Sequence, residues 1–197
     1  MSYNLKNFNS PTVRISKRGF TLIELLIVIG ILAILAVAVV LVLNPAQLLA
    51  QARDSQRMSD LGSVKSAVAL YLTTATSPTL GTTGTCTAST TCGLSSCSSV
   101  TTTTAVDGTG WVDIDLTGTT GGAALSALPL DPTNNSTYQY CYIGETTYLT
   151  FELNSRLEST KYRDNMVNDG GNKNTCSGSY VDTTCYYEVG TDPGLNL

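Results

Sequence analysis

The chain contains no histidine among its 197 residues. Histidine is the commonest general base near neutral pH, so its absence excludes Ser-His and Cys-His nucleophilic sites. The sequence also lacks the G-x-S-x-G, S-x-x-K, P-loop and G-x-G-x-x-G patterns. We therefore predict that the protein is not an enzyme and uses no cofactor.

Charge is scarce and unevenly placed, with 13% of the residues charged. Residues 1–19 carry no acid and a net charge of +4, from Lys6, Arg14, Lys17 and Arg18. The rest of the chain has 11 − 4 = 7 basic and 15 acidic residues, a net charge of −8. Because phosphate contacts need clustered Lys and Arg, this acidity predicts that nucleic acid is not the partner.

One long apolar run dominates the N-terminal part of the chain. From Phe20 to Leu43 it has a single charge, Glu24, in 24 residues. As a helix it would span about 36 Å, more than the roughly 30 Å of a bilayer's hydrocarbon. The basic residues before it predict a cytoplasmic N-terminus. A secretory signal fits poorly, because its apolar region is shorter and ends in a small-residue cleavage site. On hydrophobicity alone, an uncleaved anchor stays open.

The residues at the start of this run are distinctive. Residues 17–26 read KRGFTLIELL, a basic pair, a glycine, a phenylalanine and then Glu24 four residues on. This junction resembles the class III leader of type IV pilins and type II secretion pseudopilins. The resemblance implies that a prepilin peptidase cuts between Gly19 and Phe20 on the cytoplasmic side. It also implies that Phe20 becomes a methylated N-terminus.

Glu24 is expected to act in assembly. A carboxylate in an apolar helix is costly, and such residues are usually functional and paired. After cleavage Phe20 carries a positive amine, which methylation keeps charged. A helix does not easily bring that amine onto its own fifth residue, whereas a neighbouring subunit displaced along the axis can present its amine to Glu24. The alternative is that Glu24 simply reaches the cytoplasmic headgroups.

A second helical part follows the interruption at Asn44-Pro45. Its apolar residues recur every three or four positions and predict one face packed on a sheet: Leu61, Val64, Val68 and Tyr71. The charged residues are expected on other faces: Arg53, Asp54, Arg57, Asp60 and Lys65. Arg57 and Asp60 are spaced for a weak surface pair.

Residues 73–104 predict a long surface loop, because 20 of these 32 residues are Ser or Thr. We favour a solvated loop, with O-glycosylation as the alternative. Strands are then predicted at 111–116, 138–143, 146–158 and 185–189. In the first, Val112, Ile114 and Leu116 would face the core, while Asp113 and Asp115 would share the solvent face with Trp111 rather than act as a glycosidase pair.

All six cysteines follow the apolar run: Cys86, Cys92, Cys97, Cys141, Cys176 and Cys185. An even number in the exported part of a chain indicates disulfides in an oxidising compartment. A thiolate metal site is less favoured, because no C-x-x-C pair exists and the spacings are irregular. We predict three disulfides and no metal. Cys176 is expected to pair with Cys185, and Cys141 to bond into the 86–97 cluster.

Two later stretches extend the resemblance. Residues 128–140 read LPLDPTNNSTYQY, similar to the LP-x-DP turn and Y-x-Y that open the sheet of pseudopilins and related pilins. Some pseudopilins bind calcium in a C-terminal loop. The oxygen-bearing residues that could do so here are Asp164, Asn165, Asn168, Asp169 and Asn172. They do not match an EF-hand, so a turn-rich loop is favoured.

We therefore predict a pilin-like α+β fold, a long kinked N-terminal helix packed on a small antiparallel sheet. Its five segments are a prepilin leader (1–19), a transmembrane and filament-core half-helix (20–43), an amphipathic half-helix (44–72), a Ser/Thr-rich cysteine loop (73–110) and a sheet with a C-terminal disulfide region (111–197). The predicted function is a structural subunit that polymerises with itself into an extracellular type IV pilus. Before assembly it would be a single-pass cytoplasmic-membrane protein, and its partners would include a prepilin peptidase and a pilus assembly platform.

Two alternatives remain open at this point. One is a pseudopilin of a type II secretion system or a minor or tip pilin, which the copy number in purified fibres would separate from a major pilin. The other is a membrane-anchored surface binding protein that never polymerises and keeps its leader.

Leader processing gives the first testable prediction. Because the resemblance implies that the peptidase reads Gly19, Gly19→Val should block cleavage and leave the full-length precursor in the membrane. The wild-type chain should instead begin at methylated Phe20. Intact-mass analysis distinguishes the two forms, and normal cleavage of the variant would contradict the assigned site.

Overall fold

A computed structural model describes residues 19–94, 97–176, 184–192 and 194–197. The chain divides into two units, residues 1–44 and residues 45–197. The described part of the first unit is essentially one helix, α1, at Leu22–Leu43. Over Leu22–Val40 the helix is long and apolar enough to cross a membrane, with a mean hydropathy of 3.1. Residues 1–18, which are most of the expected basic leader, lie outside the described residues.

The interruption between the two helices is local and has a clear cause. Asn44 adopts a left-handed conformation, with φ 41° and ψ 73°. Asn tolerates this conformation better than most residues, and a following proline cannot continue the α1 hydrogen bonds. Pro45 instead begins helix α2, Pro45–Thr74, where its missing amide donor costs nothing.

Helix α2 buries one stripe of side chains against the sheet. Apart from Ala67, its buried residues follow a spacing of three and four: Ala50, Asp54, Arg57, Leu61, Val64, Val68 and Tyr71. The predicted apolar face is therefore confirmed. The buried face of α2 is longer than this apolar stripe. Two charged residues, Asp54 and Arg57, extend the buried face towards the N-terminus of the helix.

Within the described residues, five strands form the sheet, in the order β2-β1-β3-β4-β5. They are β1 at Gly84–Cys86, β2 at Cys97–Val100, β3 at Cys141–Glu145, β4 at Thr150–Ser155 and β5 at Tyr187–Gly190. Strands β1 and β2 pair in parallel, and the remaining pairs are antiparallel. The α+β fold with a long apolar N-terminal helix and a mostly antiparallel sheet is confirmed.

The core fills the space between α2 and the sheet. Aromatic residues supply much of it: Tyr71, Trp111, Tyr140, Tyr142 and Phe151 are all buried. Their polar atoms find partners, as buried tyrosines and tryptophans require. The Tyr142 hydroxyl donates to the Leu80 carbonyl at 2.6 Å, and the Trp111 indole donates to the Pro129 carbonyl at 2.8 Å.

The strand predicted at 111–116 is wrong, although its burial pattern is mostly right. Val112, Ile114 and Leu116 are buried and the two aspartates are exposed, but Trp111 is buried as well. The segment folds back on residues 103–106 rather than joining the sheet: Trp111 N donates to Thr103 O, and Leu116 N donates to Val106 O. It continues into a short 3-10 turn at Leu116–Gly118.

The expected loop at 73–104 also differs from the structure, because it contains two strands. Strand β1 pairs with β3 through Thr85–Tyr142 and Cys86–Cys141, and β2 then pairs with β1. Threonine is favoured on a pleated surface, so a Thr-rich segment can extend a sheet edge without supplying a core of its own.

Arg57 lies at the centre of a buried ion network. Its guanidinium donates two hydrogen bonds to Asp131, from Nε to Oδ2 at 2.7 Å and from Nη2 to Oδ1 at 3.0 Å. Nη1 donates to Asp54 and to Glu158, each at 2.8 Å. The side chains of Arg57, Asp54 and Asp131 are fully buried. The expected surface position of Asp54 and Arg57, and the Arg57–Asp60 pair, are therefore wrong.

This network joins three parts of the fold. Asp54 and Arg57 belong to α2, Asp131 to the LPLDP turn, and Glu158 to the segment after β4. Asp54 also accepts hydrogen bonds from the amides of Glu158 and Ser159, the latter at 2.7 Å. Burial alone lowers the pKa of a guanidinium, but the hydrogen bonds and charge of Asp131 raise the pKa of Arg57 above its ordinary value. Arg57 therefore stays charged.

Removing Arg57 should strongly destabilise the fold. Arg57→Met leaves the buried carboxylates of Asp54 and Asp131 without their cation, and breaking a buried pair typically costs about 3–5 kcal/mol. Arg53→Met is the matched control, because Arg53 also bonds Glu158 but is 37% exposed. An exposed pair is worth at most about 1 kcal/mol. Urea unfolding measures the free energy of unfolding of the two variants. An equal loss of this free energy in both would contradict the central role of Arg57.

Candidate functional site

The N-terminal turn of α1 is fixed by a side-chain cap. Thr21 adopts an extended conformation, with φ −78° and ψ 150°, and its Oγ1 accepts a hydrogen bond from the Glu24 amide at 3.2 Å. Threonine at the cap followed three residues later by glutamate is the sequence pattern of a capping box. Sequence reasoning missed Thr21, although this T-x-x-E pattern identifies it.

The cap separates Phe20 from the helix. Because Thr21 is extended, Phe20 is not part of the helical register and does not stack one turn below Glu24. Phe20 is 81% exposed, and a Cβ added at Gly19 would meet no atom within 4 Å. Among the described residues, none covers the predicted cleavage junction.

Helix α1 presents apolar side chains in every direction. Each of its side chains that the structure describes is exposed, from Leu22 to Leu43. Glu24 is the one charged residue on this helix, and it lies in the first turn. A negative charge there is stabilised by the helix dipole, so the fold alone accounts for part of its placement.

The structure brings four of the six cysteines together. The sulfur atoms of Cys86, Cys92, Cys97 and Cys141 all lie within 4.8 Å of one another. Cys86 and Cys97 form a disulfide, as do Cys176 and Cys185. Cys92 and Cys141 are buried and not bonded to each other. The structure thus differs from the expected three disulfides by one bond, and full pairing of all six cysteines stays a prediction.

The residues considered for calcium form a tight turn. Asn165–Asn168 is a single helical turn, α3, and Asp169 follows it. The Asp169 carboxylate accepts hydrogen bonds from the amides of Gly171 and Glu188, at 3.0 and 2.8 Å. A Cβ added at Gly171 would meet the Glu188 carboxylate, so that side chain would have to shift. These contacts favour the predicted turn-rich loop.

Two buried glutamates lie beside this turn. Glu152 on β4 and Glu188 on β5 are 0% and 1% exposed. Their Oε2 atoms accept hydrogen bonds from the backbone amides of Leu197 and Lys173, at 3.0 and 2.7 Å. Burial raises the pKa of Glu152. Burial also raises the pKa of Glu188 to about 8, and the charge of Glu152 adds to this effect.

Comparison with known proteins bears on the N-terminal segment. Residues 14–40 match the family model described as the prokaryotic N-terminal methylation motif. No curated protein and no solved structure matches the chain. The chain therefore carries the class III leader of type IV pilins and pseudopilins. This motif implies processing by a prepilin peptidase and assembly in a pilus or secretion apparatus.

The buried glutamates predict a pH-dependent stability. The pKa of Glu188 is about 8 in the folded protein, against an ordinary value of 4.5. The folded state therefore holds a proton that the unfolded chain releases near pH 4.5. This contribution to stability is complete below that pH and is lost as the pH rises towards 8. The urea midpoint of the solubilised protein should fall between pH 5 and pH 8.

Glu188→Gln should flatten this dependence, because an amide does not titrate. Glu145→Gln is the matched control. Hydrogen bonds from the amides of Tyr148 and Thr147 lower the pKa of Glu145, so that it titrates below the window. The control should keep the wild-type slope. A wild-type midpoint that stays constant or rises between pH 5 and pH 8 would contradict the assignment.

Proposed function

We propose that the protein is a structural subunit of a type IV pilus. A prepilin peptidase cuts between Gly19 and Phe20 and methylates Phe20. Helix α1 then holds the subunit in the cytoplasmic membrane, with residues 45–197 outside the cell membrane. An assembly platform transfers α1 into the core of a helical filament made of copies of this chain.

The observation that carries the proposal is the exposure of α1. Its apolar side chains are unburied throughout the described helix, whereas the second unit has its own core. Burying one large aliphatic side chain is worth about 1.5–3 kcal/mol. A helix with this many such residues is therefore not stable in water. It needs lipid before assembly and helix–helix packing afterwards.

The geometry of the first turn supports pairing between subunits. The extended Thr21 places Phe20 outside the helix, so the Phe20 amine of the cleaved chain is not held over its own Glu24. A neighbouring subunit displaced along the filament axis can supply its amine instead. The ion pair between this amine and Glu24 would neutralise both groups in the filament core, where water is excluded. The membrane-inserted monomer would lack this pair.

Fibre purification tests the function directly. Surface fibres should contain this chain as their main component, with an N-terminal methylated Phe20 detected by mass spectrometry. A trace component in fibres built from another subunit would indicate a minor pilin or a pseudopilin. A full-length chain with no fibres would indicate an uncleaved surface anchor.

The role of Glu24 is tested by substitution. Glu24→Leu should insert, be cleaved and fold its second unit normally, because the proposed pair does not exist in the monomer. As the sole subunit it should give few or no fibres, since an unpaired buried charge costs about 3–5 kcal/mol. Glu24→Gln should be milder, because its amide still accepts a hydrogen bond from the amine. Fibre yield is measured against the amount of processed subunit in the membrane.

Thr21→Ala separates assembly from capping. It removes the Oγ1 acceptor of the α1 cap, at a typical cost of about 1 kcal/mol, but keeps the Glu24 charge. We expect it to retain far more fibres than Glu24→Leu. Wild-type fibre yield from Glu24→Leu, or an equal loss from Thr21→Ala, would contradict an inter-subunit pair.

A further inference from the structure

Four cysteines meet where strands β1, β2 and β3 begin or end. Cys86 ends β1, Cys97 begins β2, Cys141 begins β3 and Cys92 lies in the loop between the first two strands. Cys86 and Cys141 are fully buried, and Cys92 is 2% exposed. With Cys86 bonded to Cys97, two thiols remain side by side in a closed site.

The loop that carries Cys92 is held in place by polar contacts. Gln139, itself buried, accepts a hydrogen bond from the Ala88 amide at 2.9 Å and donates one to the Thr91 carbonyl at 2.9 Å. Asn154 Nδ2 donates to the Cys92 carbonyl at 3.5 Å. These hydrogen bonds fix the conformation of the loop and so hold Cys92 next to Cys141.

We propose that Cys92 and Cys141 form a disulfide in the exported protein, beside Cys86–Cys97. The two S–H bonds break and one Sγ–Sγ bond forms, with the release of two protons and two electrons. A protein disulfide of the thiol–disulfide oxidoreductase class accepts both the electrons and the protons and becomes a dithiol. The proposal rests on the export of residues 45–197 that the proposed function implies.

Chemistry at the site favours this bond over a thiolate metal centre. Metal ligands must be thiolates, and a tetrahedral site needs four donors. The existing disulfide removes two of the four sulfurs, which leaves too few for such a site.

The Cys92–Cys141 bond would link the loop closed by Cys86–Cys97 to strand β3. Cys92 lies inside the loop closed by Cys86–Cys97, whereas Cys141 lies outside it on β3. The Cys92–Cys141 bond would therefore fix the middle of a Ser/Thr-rich loop that buries little apolar surface. Constraining the unfolded chain in this way stabilises the fold without a larger core.

The test is thiol mapping of the full chain from the membrane fraction. The protein is denatured without reductant, alkylated, digested and analysed by mass spectrometry. We expect no alkylated cysteine, an intact mass about 6 Da below that of the reduced chain, and a linked pair of peptides containing Cys92 and Cys141. Alkylation of both residues would overturn the proposal. So would the pairings Cys86–Cys92 or Cys86–Cys141, or stoichiometric zinc released when the thiols are modified.

Variants give an independent readout. Cys92→Ser should make Cys141 alkylatable and leave Cys86–Cys97 linked, and Cys141→Ser should do the same for Cys92. Cys176→Ser is the matched control, because it should free Cys185 and leave the Cys92–Cys141 peptide intact. Since the wild-type map uses unassembled membrane protein, the disulfide can be confirmed or rejected whether or not fibres form.

Discussion

The constraint on which this molecule depends is the need to surround α1 with apolar material. Every described side chain of the helix is exposed, and its aliphatic residues point in all directions. One turn of polar structure is present, formed by the Thr21 cap and Glu24, and it lies at the end that a peptidase is expected to expose. A helix that is apolar all round has no preferred face for lipid. It can therefore exchange lipid for neighbouring helices without rearranging its own structure, as the proposed filament subunit requires.

The second unit depends on a different interaction, the charge network around Arg57. From Leu61 to Tyr71, the buried stripe of helix α2 is apolar. Towards the helix N-terminus the stripe continues as Asp54 and Arg57, and Arg57 binds carboxylates from the LPLDP turn and from the segment after β4. Apolar packing of similar volume could hold these parts together with equal strength. The bidentate contact with Asp131 adds a defined geometry, because it fixes the position of the turn relative to the helix.

The sequence predicts the helices and three of the strands well, because their signals are periodic. The KRG-F junction, the apolar run and the stripe at Leu61, Val64 and Val68 can each be seen within a short window. What fails depends on distant partners. Arg57 cannot be recognised as buried without Asp131, which is far along the chain. The 84–86 and 97–100 strands have no alternation of their own: the first pairs with the edge of β3, and the second pairs with the first. Residues 111–116 alternate like a strand, but the Trp111 indole and amide are satisfied by Pro129 and Thr103 instead of a ladder.

Three clusters of buried polar side chains in the second unit are stabilised in three different ways. Around Arg57, buried carboxylates are neutralised by a cation that keeps its charge at any physiological pH. At Glu152 and Glu188, the raised pKa values indicate that a proton takes the place of the cation. At Cys92 and Cys141, a covalent bond would remove the polar thiols altogether. The charge of Arg57 is insensitive to the surroundings, whereas the other two solutions depend on the pH and the redox state of the compartment that holds this unit. The free energy of unfolding of this unit should therefore change with pH through Glu188 and with redox state through Cys92 and Cys141, while the charge of Arg57 changes with neither.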